Sequence, residues 1–67
     1  MSGEMRSYVV SVTFDYYDVD SYHIVRFATM YPVNSVGFWE DFYDTCFNTF
    51  DVTDCYSMRI LEVEEGF

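Results

Sequence analysis

The sequence predicts an α+β fold: a small three-stranded antiparallel sheet, β-β-α-β along the chain and 2-1-3 in space, with one amphipathic helix packed on one face. Three observations predict it. Ser7 to Tyr17 alternates apolar and polar residues with period two. Tyr22 to Tyr31 is a second β-rich run, closed by Pro32. Ser35 to Asp51, SVGFWEDFYDTCFNTFD, repeats its apolar residues at helical spacing.

In the first strand Tyr8, Val10, Val12, Phe14 and Tyr16 share one side, and Ser7, Ser11, Thr13 and Asp15 the other, with Val9 as the exception. Residues 1–6 are expected to form a flexible tail. Asp18-Val19-Asp20-Ser21 breaks the alternation. It lacks the Asn-Gly of a two-residue hairpin, so a four- or five-residue loop around a type I turn is expected, where Asp and Ser can bond nearby backbone. The second strand is apolar on both sides: Val25, Phe27 and Thr29 on one, Ile24, Ala28 and Met30 on the other. Arg26 sits among the latter, which points the odd-numbered side at the core.

The helix places Trp39, Phe42, Tyr43, Cys46, Phe47 and Phe50 within one arc of roughly 140° at 3.6 residues per turn. Phe38 lies off that arc and is expected at the surface. Asn34 or Ser35 can cap the N-terminus; Gly37 is an alternative that would put Glu40 at the favourable third position. A third strand is expected from Cys55 to Glu64. Tyr56, Met58 and Ile60 keep one phase and Leu61 and Val63 the other, so a bulge near Ile60, or partial burial of both sides, is expected. Glu64, Glu65 and Gly66 should fray. A helix crossing the sheet lets the third strand pair antiparallel with the first, with the helix on the Tyr8-Val10-Val12-Phe14 side. Parallel pairing of strands two and three, by a right-handed crossover, is the alternative.

A chain of 67 residues makes one domain, marginal unless its core is rich. Seven Phe, seven Tyr and one Trp supply that core and exclude a disordered acidic chain. Twelve acidic residues face three arginines and no lysine, for a net charge of −9. Such a balance repels nucleic acid and anionic membrane, and it destabilises the compact state by self-repulsion. It exceeds what solubility requires. The surplus therefore points to a basic partner.

The acids cluster in two places. Asp15, Asp18 and Asp20 stand at the hairpin, beside Tyr16 and Tyr17, whose rigid amphipathic rings suit contact surfaces. Glu40, Asp41, Asp44 and Asp51 line the polar side of the helix, and Asp54 follows it. Glu40 and Asp44 are an i, i+4 pair of like charge, which costs an isolated helix roughly 0.2–0.5 kcal/mol. Carboxylates spaced along a rod offer a cationic groove something like the row of anions on a nucleic-acid strand. The plainer alternative is a solvated face with no partner.

Other chemistry is thin. Asp15 to Asp20 does not follow the order of a calcium loop. Cys46, Cys55 and His23 match no zinc spacing, and Cys46 falls in the apolar arc. No nucleophile elbow, phosphate loop or dinucleotide fingerprint is present, and neither a metal nor a cofactor is expected. With two cysteines outside any CxxC pair, no apolar run of spanning length and no signal-peptide core, a cytoplasmic protein is expected.

The expected function is a small acidic inhibitor that occupies the basic nucleic-acid-binding surface of a target protein. At the level of class, small acidic domains of this composition resemble phage-encoded anti-defence and repair-inhibitor proteins: anti-CRISPR, anti-restriction and uracil-DNA glycosylase inhibitors. No residue is carried over from that resemblance. Two alternatives come from other classes. One is an immunity or antitoxin-type protein that neutralises a basic nuclease or toxin. The other is an assembly module that uses an apolar outer sheet face of Val9, Ile24 and Ala28. Two free sheet edges also make a homodimer an open option.

Overall fold

The computed structural model describes residues 4–66. The chain forms β1 (Arg6–Asp15), β2 (Asp20–Thr29), α1 (Val36–Thr49) and β3 (Ser57–Gly66). The sheet has the order β2-β1-β3, and both pairings are antiparallel. This is the β-β-α-β arrangement that the alternation predicts; the parallel alternative is excluded.

The central strand follows from its sequence. Tyr8, Val10, Val12 and Phe14 all project to the helix side and are buried. Register completes the layer. Phe27 and Val25 of β2 stand opposite Tyr8 and Val10, and Val63, Ile60 and Met58 of β3 stand opposite Val10, Val12 and Phe14. The odd-numbered side of β2 thus meets the core, and Arg26 faces out with Ile24 and Ala28. On β3, Ser11 pairs with Glu62 and Val12 with Ile60, so Leu61 has no partner and forms a bulge. The bulge reconciles the two phases of the sequence by bringing Ile60 and Val63 to the same side.

Several boundaries differ from the sequence expectation. Arg6, expected in the tail, opens β1 opposite Thr29 and pairs with Glu65; residues 1–3 lie outside the described residues. The hairpin loop is residues 16–19, closed by the Tyr16 amide donating to the Val19 carbonyl at 3.2 Å. Asp20 and Ser21 already belong to β2. Glu64, Glu65 and Gly66 do not fray; they ladder with Val9, Tyr8 and Ser7.

Between β2 and α1, Asn34 adopts φ 68°, a left-handed conformation that asparagine tolerates better than most residues. Ser35 is the N-cap. Its hydroxyl oxygen accepts from the Phe38 amide at 3.2 Å and donates to the Pro32 carbonyl at 2.7 Å. Gly37 is not the cap. It lies within the first turn, two residues past the cap, where the Tyr31 ring rests on its Cα and any Cβ would collide.

The helix sits on the sheet rotated by roughly 70° from the predicted arc, measured at 100° per residue. Phe38, Phe42 and Cys46 are its fully buried residues. Phe38 contacts Tyr8 and Phe27 edge-on at 5.1 and 5.2 Å between ring centroids, and Phe42 lies 5.7 Å from Phe27. This corrects the expectation that Phe38 is at the surface. Tyr43 and Phe47, expected in the core, are 39% and 60% exposed. The physical reason is the helix's position. It leans over β2, where Phe27 receives two of its rings, and leaves the β3 side open.

Candidate functional site

The predicted acids separate into two groups with opposite surroundings. The first is neutralised or built into the fold. Asp15 is buried at the end of β1, and both its oxygens accept from Arg59, from Nε and Nη2 at 2.7 Å each. Antiparallel pairing sets this contact, because Thr13 stands opposite Arg59 and Asp15 is its diagonal neighbour. The guanidinium, through its hydrogen bonds, holds the Asp15 carboxyl below its ordinary value. Asp20 shares the same arginine at 3.2 Å. Asp41 is half-buried on the β2 side of the helix and accepts from the Thr29 hydroxyl at 2.6 Å. Thr29 is buried and in turn accepts from the Tyr31 amide, so Asp41 ties the helix to the end of β2. Asp15, Asp20 and Asp41 are therefore withdrawn from the set of free acids.

The second group is exposed. Glu40 and Asp44 stand one turn apart, about 6 Å along the axis, on the outward side of the helix. Asp51 and Asp54 follow in the loop, and Asp18 tips the hairpin. Glu40, Asp44, Asp51, Asp54 and Asp18 make no ion pair among the described residues. The helix offers its carboxylates no compensation. Its first turn holds no acid and its last turn no base, and Asp51 follows the C-cap, Phe50, at the negative end of the dipole. Asp51 is held below the ordinary carboxyl value by hydrogen bonds from Thr53. It remains an anion at the surface.

The two tyrosines also divide. Tyr16 is half-buried, and its hydroxyl donates to the Asp51 carbonyl at 3.1 Å, which ties the hairpin to the end of the helix. Burial raises its phenol pKa. It is a positioning residue and not a free contact. Tyr17 is 90% exposed and pairs with Tyr56, with ring centroids 4.9 Å apart.

None of the arginines pairs with these exposed acids. Arg59 and Arg26 belong to the uncovered side of the sheet, and Arg6 pairs with Glu65 at 3.3 Å. That uncovered side is not the apolar surface expected for an assembly module. Val9 lies between Arg26 and Glu64, and Ile24 shares a row with Ser11 and Glu62.

Sequence reasoning missed a groove. Tyr43 and Phe47 on the helix, Val52 and Cys55 in the following loop, and Tyr56 and Met58 at the start of β3 line an open depression of about 400 Å³. The signal that could have found it is the Phe38-Phe42-Cys46 row, an i, i+4, i+8 line that competes with the predicted arc and turns Tyr43 and Phe47 outward. His23 and the cysteines have local roles. The His23 ring packs against Phe14 and Phe50 at 4.9 and 4.5 Å, and its Nε2 shares a 2.8 Å hydrogen bond with the Ser21 hydroxyl. Both cysteines are free thiols; burial pushes Cys46 up to about 11, and Cys55 donates to the Ser57 carbonyl. No helix among the described residues is long and apolar enough to cross a membrane.

Comparison with protein-family models, curated proteins and solved structures gives no match. The functional reading rests on this chain's own residues.

Proposed function

We propose that this protein is a small acidic inhibitor that seats its helix side on the basic nucleic-acid-binding surface of another protein and blocks it. In this reading it acts in the cytoplasm and belongs to the anti-defence kind: an anti-CRISPR, anti-restriction or repair-enzyme inhibitor. The observation that carries the reading is the segregation of charge. Glu40, Asp44, Asp51 and Asp54 are exposed on the helix and the loop after it, and the three arginines are engaged or placed elsewhere. Like-charged neighbours and an opposed dipole cost stability at those positions. A cationic receptor would turn the same residues into attraction and fast encounter.

The test is capture of partners from host lysate at low salt, followed by competition. The expected partner is a basic nucleic-acid-binding protein that DNA or RNA displaces, and the double reversal Glu40→Lys with Asp44→Lys abolishes capture. The contact is expected to fail by about 0.5 M salt, where screening reaches only a few ångströms. A partner that holds this protein and nucleic acid together, or that ignores the double reversal, would refute the proposal.

A further inference from the structure

We infer that the groove between α1 and β3 receives an apolar side chain from a basic segment of the partner, an aliphatic or aromatic residue flanked by arginines or lysines. This inference deepens the inhibitor reading and rests on it. It names the point of attachment that charge alone does not supply.

Three observations converge. The first is the floor. Phe47 is 60% exposed, and Met58 and Val52 are only half-buried although they pack against the core, because the helix leans toward β2 and leaves this flank open. The second is the opening, a depression of about 400 Å³ that has room for one or two side chains and stays open to solvent, so that it holds a side chain against its floor without enclosing it. The third is the rim. Asp44 is three residues before Phe47 and Glu40 three before Tyr43, the spacing of neighbours on a helix surface. Asp51 and Asp54, both exposed, immediately precede the lining residues Val52 and Cys55 in the loop. Among the described residues no arginine lines the groove.

An apolar centre whose lining residues have exposed neighbours of one charge sign selects its occupant. A second copy of this chain, with its own net charge of −9, would meet the same rim with like charge. A neutral apolar segment would leave the carboxylates without partners. A basic segment with one apolar residue satisfies both parts. Its cations meet the rim while the central side chain loses its contact with water, as at the desolvated centres of protein interfaces.

Two synthetic heptapeptides test this, Arg-Lys-Arg-Leu-Arg-Lys-Arg and the same sequence with glycine at the centre. Binding at low salt is read from the fluorescence of Trp39, whose ring lies 6.4 Å from that of Tyr43. The leucine peptide is expected to bind about tenfold tighter than the glycine peptide, the return on burying most of one leucine. In Phe47→Ser, a change at an exposed position that leaves the fold intact, the ratio falls to about one. In Glu40→Gln with Asp44→Asn both peptides weaken together and the ratio survives. A wild-type ratio of one overturns the groove and leaves the acidic reading standing. Failure of both peptides to bind at all overturns the acidic reading itself. Sedimentation at rising concentration closes the remaining route: a dimer that Phe47→Ser dissociates would assign the groove to a second copy and overturn the proposal.

Discussion

On the uncovered side of the sheet, Arg59 reaches both oxygens of Asp15 at 2.7 Å and Asp20 at 3.2 Å, and Arg26 stands in a row with Glu64. Across the molecule, Glu40 and Asp44 are exposed on the helix and form no ion pair among the described residues. Both sides are acidic in sequence and both are solvated. They differ in what surrounds each carboxylate. The uncovered side of the sheet sets Arg26 and Arg59 among its acids as a stabilised surface would, and the outward side of the helix carries no cation at all. A uniform excess of acid would have spread the arginines over both. The contrast shows that net charge alone says little about where a partner can sit; the location of the counter-charges says more.

The comparison can be broken or sharpened by substitution. Phe38→Ala should have the largest effect. It removes the ring that seats the helix on Tyr8 and Phe27 and should cost about 3–5 kcal/mol in urea unfolding. If the cost is small, the helix is not held as described and its outward side loses its definition. Arg59→Met comes next and strips the sheet side of its counter-charge. Asp15 has a folded-state pKa below its ordinary 3.8, so its pairing stabilises the fold fully above that value and is lost as pH falls below it. Urea midpoints of wild type and variant should therefore differ at neutral pH and converge in acid. A gap that persists in acid would mean that Arg59 acts through packing and not through charge.

Ser35→Ala removes the cap and should cost about 1 kcal/mol. The loss should be the same with or without salt, since neither Glu40 nor Asp41 lies in the first turn to share it. The smallest change is the most discriminating. Asp44→Lys places a cation i+4 from Glu40 and nearer the negative end of the helix, and should raise stability by about 0.5 kcal/mol. A gain in stability together with a loss of partner capture would show that the helix side is kept for binding at the expense of the fold.

The sheet was legible because its signals are local. Alternation in Tyr8-Val10-Val12-Phe14 fixes a strand and its inward side, and Arg26 marks the outward side of β2. Even the bulge was visible, as the phase slip between Ile60 and Leu61. The orientation of the helix was not. Five aromatic rings and the Cys46 thiol fit the predicted arc, but Phe38, Phe42 and Cys46 fit a second one, and Phe27 and Thr29 on β2 decide between them through contacts no periodicity contains. The surroundings of the acids were hidden for the same reason. Asp41 looks like Glu40 in sequence, yet a rotation of the helix brings it within 2.6 Å of Thr29. Asp15 looked free because its partner lies 44 residues away on a strand whose register was unknown.

The unpaired Leu61 gives β3 an uneven tolerance to changes of length. Were the chain shortened there by one residue, Glu62 and Val63 could keep their places opposite Ser11 and Val10, and only the irregularity would vanish. One residue added between Ile60 and Val63 has no such refuge, because the existing bulge is already used. The end of the strand would then turn over, with Glu62 and Glu64 swung beneath the helix layer and Val63 put out into water.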